Sequence, residues 1–234
     1  MLQYQTVSPG LTRVLNQLMQ ISQLSLFRLV GGTSLALQIG HRRSIDIDLF
    51  TDKAFDSPAL QAELQRHFNS VLFTWTNQNG FSCVIDGIKT DIFNWHTPFI
   101  LPAIEEDNIR LMHKEEIAAM KFEAVTNRKE KKDFYDIAFL LNEYTFKYLL
   151  NSFCKKYPFL DKLMIIESLT AVHFADNSLD PILVKEMDWT LAKDIIISTI
   201  QVYYQEQISN RKRLQEERIK NAEQLLKQKK KKDD

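Results

Sequence analysis

Asp46 and Asp48 stand one residue apart in the stretch SIDIDLF, where polar and apolar residues alternate. The alternation predicts a β-strand, and in a strand these two side chains project from the same face. Neighbouring carboxylates repel each other unless they share a proton or bind a cation, and oxygen ligands of this kind suit Mg²⁺. The pair therefore indicates a metal site, with a solvent-exposed strand face as the simpler alternative.

A glycine pair precedes these acids at the end of the apolar run SLFRLV. Gly31 and Gly32 allow a sharp turn, and the backbone N–H groups of a helix that begins there can bind phosphate. We expect Thr33 or Ser34 to cap that helix or to bind a phosphate oxygen. Each pattern alone is common, but a strand, a glycine turn, a short helix and an Asp-x-Asp strand in this order indicate one site for phosphate and metal.

Asp91 is a candidate third carboxylate. It follows the turn signals NG and DG, of which the second predicts a tight hairpin between FSCVI and IKTDIFNW. If the returning strand pairs with the strand of Asp46 and Asp48, three acids from two strands complete the metal site. Otherwise Asp91 is a surface residue of the hairpin.

The elements that must position these residues change in kind along the chain. Up to about residue 100, helix and strand patterns alternate, and we expect Ile45, Ile47 and Leu49 to face the core. From Leu101 onward helical periodicity dominates and hairpin signals end, which places a domain boundary near 98–102. The predicted class is α+β, with a core at 1–100, a helical domain at 101–205 and a charged tail at 206–234. Helices are expected at about 9–24, 57–68, 115–126, 131–144, 144–170 with a break at Pro158, and 180–197.

Charge is unevenly distributed, although the formal net charge is zero. Residues 206–234 carry +4 and the remainder −4, so the basic end is a candidate for contact with nucleic acid. The segment from about Gln205 is predicted to be an exposed helix or a frayed tail, and the closing KQKKKKDD to be disordered. Lys121 differs from the other basic residues, because Met120 and Phe122 place it within an apolar region.

Cysteine usage and hydropathy exclude several classes of protein. Cys83 and Cys154 have no spacing typical of a disulfide framework or a zinc site, and both are expected to be buried thiols. No run of about 18 apolar residues predicts a membrane span, and the N-terminal MLQYQTVSPG has no basic segment followed by an apolar one. We therefore expect a cytoplasmic protein without a membrane partner.

Three groups of motifs carry a family resemblance. GGTSLALQIGHRRSIDIDLF resembles the first two motifs of the AbiEii/AbiGii toxins, nucleotidyltransferase-like proteins of the DNA polymerase beta superfamily found in type IV toxin–antitoxin and abortive-infection systems. KFEAVTNR resembles the third motif, a helical lysine followed by an arginine, and DFYD resembles the fourth. The resemblance implies a polymerase-beta-like nucleotidyltransferase core, with a mixed sheet and flanking helices, followed by a helical C-terminal domain.

The resemblance also implies roles for the residues of the first two motifs. Asp46 and Asp48 would hold two Mg²⁺ ions. Asp91 corresponds to the third carboxylate of the superfamily, as a metal ligand or a general base, at a position where the family is less uniform. Four residues of the glycine turn would hold the nucleotide phosphates: Gly31, Gly32, Thr33 and Ser34.

The third and fourth motifs would complete the site from the helical half of the chain. Lys121 would contact the triphosphate, and Arg128 follows it in the same motif. Asp133 and Asp136 match the fourth motif, where the family places an acidic residue near the nucleotide. Asp136 is slightly favoured over Asp133 as that residue, because one of the two acids could instead cap the helix.

The implied reaction moves a nucleoside monophosphate from an NTP to a hydroxyl group, and pyrophosphate leaves. The implied acceptor is RNA, with the 3′ end of tRNA as one candidate, and a cognate antitoxin is the implied partner. Three functions stay open: this active toxin, the same fold using an NTP in another way, such as modifying a protein, and a non-catalytic nucleotide- or RNA-binding protein.

Overall fold

A seven-stranded mixed sheet is the centre of the fold. The computed structural model describes residues 1–233, with side chains as far as Asn221. The strands of this part are β1 (Arg28–Leu29), β2 (Ile47–Thr51), β3 (Val71–Asn77), β4 (Gly80–Ile85), β5 (Ile88–Asn94), β6 (Ile104–Glu106) and β7 (Ile109–Leu111). Their order in the sheet is β3-β4-β5-β2-β1-β7-β6. β2 pairs in parallel with β5, and β1 with β7, whereas the other neighbours are antiparallel.

Helices surround this sheet and make up most of the second half of the chain. Within residues 1–233 the α-helices are α1 (Pro9–Gln20), α2 (Gly31–Ile39), α3 (Ser57–His67), α4 (Lys114–Asn127), α5 (Lys131–Leu141), α6 (Phe146–Lys156), α7 (Lys162–Thr170) and α8 (Trp189–Asp233). α1 begins as its sequence predicts, since the Ser8 side chain accepts a hydrogen bond from the Leu11 N–H and Pro9 takes the first position.

Two apolar clusters fill the space on the two faces of the sheet. α1 and α3 contribute to one cluster together with Leu49, and α4 to α8 contribute to the other together with Phe50. Because side chains of a strand alternate between faces, Asp46 and Asp48 share the face of Phe50, toward the helical half. The fold therefore directs the predicted carboxylates toward the helices that carry Lys121 and Asp136.

The sheet continues beyond the boundary predicted at 98–102. β6 and β7 form a hairpin whose turn residues, Asp107 and Asn108, both have positive φ, and β7 pairs with β1. The expectation that strands end before Leu101 is wrong, because three-residue strands are too short to show an alternating pattern. The division into domains at 1–100, 101–205 and 206–234 stays a prediction.

The helix predicted at 180–197 begins later than its sequence suggests. α8 starts at Trp189, where the Asp188 side chain accepts a hydrogen bond from the Leu191 N–H. Residues 176–188 instead form an irregular segment, in which Leu183 makes a β-bridge with Arg42. Pairing with the turn around Arg42 uses the backbone groups that an earlier helix would need.

Three further expectations need correction. Ile45 is 76% exposed because β2 begins only at Ile47, whereas Ile47 and Leu49 are buried as predicted. Cys83 is buried, but Cys154 is only partly so. α8 continues to Asp233, so the closing KQKKKKDD is helical rather than disordered as far as that residue, and Asp234 lies outside the described residues.

The exposed-helix alternative applies to the segment that follows Gln205, since residues 205–221 of α8 are all exposed. No helix within residues 1–233 combines the length and the apolar character that crossing a membrane requires.

Candidate active site

The three predicted carboxylates lie together at the middle of the sheet. Asp48 on β2 is directly opposite Asp91 on β5 in the parallel register, and Asp46 immediately precedes β2. All three line one cleft, with a volume of about 680 Å³. The prediction that two neighbouring strands bring these acids together is confirmed.

Electrostatic repulsion among these acids is visible at Asp48. Burial raises the pKa of its carboxyl group, and the charges of Asp91 and Asp46 raise it further, to about 6. Asp91 Oδ2 lies 3.2 Å from the ammonium of Lys89, while Asp91 Oδ1 is buried and accepts no hydrogen bond in the described part of the chain. One buried oxygen of this acidic cluster is therefore left without a hydrogen-bond partner among the described residues.

This surplus of buried carboxylate oxygen fits a divalent cation such as Mg²⁺, which prefers hard oxygen ligands. Within residues 1–233, however, no three His, Cys, Asp or Glu side chains converge as a ready-formed metal cluster. The donor chemistry and the unpaired Asp91 Oδ1 support Asp46, Asp48 and Asp91 as ligands, and their assignment stays a prediction.

The glycine pair is required by the closeness of neighbouring side chains. Gly31 has φ +64°, and a Cβ there would lie 2.7 Å from Asp48 Oδ2. A Cβ on Gly32 would collide with the Arg42 guanidinium. The Val30 N–H donates to the Asp48 carbonyl oxygen at 2.9 Å, so β1 and the acidic strand meet where α2 begins. The turn thus presents the start of α2 directly beside the carboxylates.

Thr33 and Ser34 do not cap α2, contrary to expectation. The N-cap residue is Val30, and no side chain accepts a hydrogen bond there. Both hydroxyl residues are buried within the helix; Thr33 Oγ1 donates to the Asp46 carbonyl oxygen and lies 2.8 Å from Ser44 Oγ. Thr33 therefore tethers the backbone that carries Asp46, and a direct contact of these two hydroxyls with phosphate stays a prediction that their burial does not favour.

Asp136 is the centre of a buried ionic network. Its carboxylate accepts from Arg42 Nε at 2.6 Å and Arg42 Nη2 at 2.9 Å, and Lys121 Nζ lies 2.6 Å from Oδ2. Burial alone would raise the pKa of Asp136, but Arg42 and Lys121 hold it well below its usual range. His41 Nε2 lies 2.7 Å from Oδ1, and burial lowers the pKa of this histidine. Asp136 is therefore a permanent anion that fixes the cations around it.

Asp133 fixes two cations of the cleft in the same way. It is fully buried, and it accepts from Lys121 Nζ at 2.7 Å and from Arg128 Nε at 2.8 Å. Burial alone would lower the pKa of Lys121, but Asp136 and Asp133 raise it overall, so its ammonium stays charged. Lys121 and Arg128, predicted from the third motif, are thus held at the wall of the cleft by the two acids of the fourth.

Together these elements form what we call the cationic cleft. The β2–β5 carboxylates lie at its base, and α4, α5, the turn at 41–45 and the segment at 178–182 form its walls. Six basic side chains line it: Arg42, Arg43, Lys89, Lys121, Arg128 and Lys132.

The sequence did not single out His41, Arg42 or Lys89. His41 and Arg42 belong to a short basic turn that could equally be a solvated surface, and only their contacts with Asp136, more than 90 residues away, reveal their role. Lys89 lies two residues before Asp91 on β5, so strand alternation places the two side chains on one face. The two-residue spacing from Asp91 could therefore have identified Lys89 from the sequence alone.

Comparisons with known proteins agree with this geometry. Residues 13–74 and 88–217 match the family model described as "Nucleotidyl transferase AbiEii toxin, Type IV TA system". The uncharacterized protein aq_aa25 of Aquifex aeolicus (strain VF5) is 35% identical over 157 residues, 64% of this chain and 74% of that protein.

Two solved Helicobacter pylori structures share the fold. JHP933 aligns with a TM-score of 0.60 and 16% identity over 87% of this chain and 93% of its own. A candidate nucleotidyltransferase aligns with a TM-score of 0.59 and 17% identity over 84% of this chain and 92% of its own. Each alignment therefore covers more than four fifths of both chains.

Proposed function

Because the chain belongs to the AbiEii nucleotidyltransferase toxin family of type IV toxin–antitoxin systems, we propose that it moves a nucleoside monophosphate from an NTP to a hydroxyl group of RNA. The observation that carries this proposal is the cationic cleft, where Asp46, Asp48 and Asp91 face six basic side chains. Phosphoryl transfer needs positioning and charge stabilisation more than covalent chemistry, and this cleft offers both.

The triphosphate binds along the cations of this cleft. Lys121 and Arg128 are oriented in advance by Asp133, so they can offset the charge that builds on the leaving pyrophosphate without rearranging. Gly31 and Gly32 allow the start of α2 to approach a phosphate closely. Asp136 acts as a positioning residue, since it is buried and held anionic behind Lys121 and Arg42.

Asp46, Asp48 and Asp91 hold the divalent cations in this proposal, with two Mg²⁺ ions as the first candidates. When bound, such ions polarise phosphoryl oxygens and lower the pKa of an acceptor hydroxyl. Asp91 is the proposed general base for that hydroxyl, and Lys89 Nζ lies 3.2 Å from Oδ2 of its carboxylate.

RNA is the proposed acceptor, with the 3′ end of tRNA as the first candidate to test. The basic residues of the cleft and of α8, including Arg211, Lys212 and Arg213, support a polyanionic acceptor. The family implies an antitoxin as partner, and the proposed place of action is the cytoplasm, where NTPs and tRNA are present.

Incorporation of radiolabelled NTP is the direct test. Each of the four NTPs is incubated with the protein, Mg²⁺ and either total RNA or total protein. We expect label in RNA, loss of at least about 100-fold of that label with Asp48→Asn or Asp46→Asn, and full activity with Asp194→Asn, an exposed acid on α8. Undiminished labelling by Asp48→Asn contradicts the proposal, and label found only in protein identifies the other acceptor.

A further inference from the structure

A second, smaller cleft adjoins the cationic cleft at the carboxylates. It has a volume of about 340 Å³, and five residues line both clefts: Gly32, Asp48, Asp91, Lys121 and Arg128. The rest of its lining includes no further basic side chain. We call it the aromatic cleft, and the larger side chains that line it alone are Val30, Phe50, Trp95, Met120, Glu123 and Asn127.

The apolar wall of the aromatic cleft is firmly positioned. The rings of Phe50 and Trp95 are stacked, with centroids 5.0 Å apart and planes 12° apart. The backbone N–H of Trp95 donates to the Thr51 carbonyl oxygen at 2.7 Å, and Phe93 packs edge-on against Phe50. Firmly held aromatic side chains of this kind bind nucleobases through stacking and apolar contact.

Two polar side chains of α4 also line this cleft and form its polar edge. Glu123 and Asn127 are one helical turn apart, and the Asn127 side-chain amide donates to the Glu123 carboxylate. Carboxylate and amide groups are the side chains that recognise the hydrogen-bonding edges of bases. An apolar wall and a polar edge in one cleft match the chemistry of a nucleobase, whereas the basic walls of the neighbouring cleft match that of phosphate.

We propose that the aromatic cleft binds the nucleobase of the incoming NTP, an inference that rests on the proposed nucleotidyl transfer. With the α-phosphate at Asp48 and Asp91, the triphosphate extends into the cationic cleft and the base into the aromatic cleft. Glu123 favours adenine, cytosine and guanine over uracil, because a carboxylate accepts from an exocyclic amino group, whereas uracil presents one N–H between two carbonyl oxygens.

The test compares ATP with inorganic tripolyphosphate, which has the same phosphates and no base. Isothermal titration in the presence of Mg²⁺ measures both affinities. We expect Trp95→Ala to weaken the binding of ATP about 10-fold and to leave the affinity for tripolyphosphate unchanged. Trp75→Ala, a tryptophan variant outside both clefts, should change neither affinity. Equal weakening of both ligands by Trp95→Ala, or weakening of neither, overturns the proposal.

Two milder variants keep the proposal testable if Trp95→Ala fails to fold. Met120→Ala should weaken the binding of ATP but not that of tripolyphosphate. Glu123→Gln should raise the affinity for UTP relative to CTP, because the amide that replaces the carboxylate donates to a uracil carbonyl oxygen. An unchanged UTP-to-CTP ratio together with unchanged ATP binding by Met120→Ala would overturn the assignment.

The acceptor is the competing occupant, and a binding measurement with a short single-stranded RNA distinguishes it. If Trp95→Ala weakens binding of the RNA and leaves the affinities for all four NTPs unchanged, the aromatic cleft binds the acceptor base and the proposal is wrong. Failure of the wild-type chain to bind any Mg²⁺-NTP contradicts the proposed function itself. Normal NTP binding that none of the three variants alters contradicts only the inference about the cleft.

Discussion

Replacing Asp48 with asparagine should stabilise the fold at neutral pH while removing activity. Burial and the neighbouring acids raise the pKa of Asp48 from its usual 3.8 to about 6. The folded chain therefore binds the Asp48 proton more tightly than the unfolded chain does. The stability that this proton provides is complete below pH 3.8, declines as the pH rises, and is lost above about pH 6.

The size of the effect follows from the shift of the pKa. About two pKa units correspond to at most about 3 kcal/mol between the protonated and ionised forms, since each unit is about 1.4 kcal/mol. Asp48→Asn places a neutral, hydrogen-donating group beside Asp91 and Asp46. We expect its free energy of unfolding to exceed that of the wild type by about 1–3 kcal/mol near pH 8 and the excess to shrink toward zero near pH 4.

Urea unfolding followed by far-UV circular dichroism, in EDTA at both pH values, measures the difference. Asp194→Asn serves as the control, and its exposed position predicts a change within about 0.5 kcal/mol at either pH. Added Mg²⁺ should stabilise the wild type near pH 8 more than it stabilises Asp48→Asn. A variant that is less stable than wild type near pH 8, or an excess that does not depend on pH, would refute the reasoning.

Three other substitutions test how the site is built. Asp136→Asn should lower the free energy of unfolding by about 3–5 kcal/mol in urea titrations, because it leaves a buried guanidinium and ammonium without a full counter-charge. Gly31→Ala should lower the free energy of unfolding by at least about 1 kcal/mol, since φ +64° disfavours a side chain. It should also abolish NMP transfer, because the new Cβ would displace Asp48. Thr33→Val should lower the free energy of unfolding by about 1 kcal/mol and weaken Mg²⁺ binding measured by calorimetry, because it removes the hydrogen bond to Asp46. Wild-type stability for any one of these variants contradicts the role given to that residue.

Local sequence patterns predicted the parts of the site that lie on regular elements. The alternation of SIDIDLF and the DG turn placed Asp46, Asp48 and Asp91 correctly, because strand geometry fixes which side chains share a face. The apolar neighbours of Lys121 likewise predicted its burial. These predictions needed only the residue types and the regular spacing at which side chains of a strand or helix return to the same face.

Patterns failed where short segments depend on distant partners. The β6–β7 hairpin is held by β1, and the segment at 176–188 is held by the turn around Arg42, so neither shows its structure in its own residues. Thr33 or Ser34 was expected to cap α2 or to bind a phosphate oxygen. Neither caps the helix, and the Thr33 hydroxyl instead donates to the Asp46 carbonyl oxygen just before β2. In each instance a tertiary hydrogen bond replaced the local one that the sequence suggested.

The sequence by itself determined the α+β class, the family resemblance and the three acids, since each depends on spacing within one or two neighbouring elements. Only the tertiary structure decided what surrounds those acids. It joined Asp136 to Arg42 and Lys121, and it stacked Trp95 on Phe50 in a cleft that α4 also lines. Charges and rings act over a few ångströms whatever their separation along the chain, so the chemistry of both clefts exists only once the sheet and the helices have packed together.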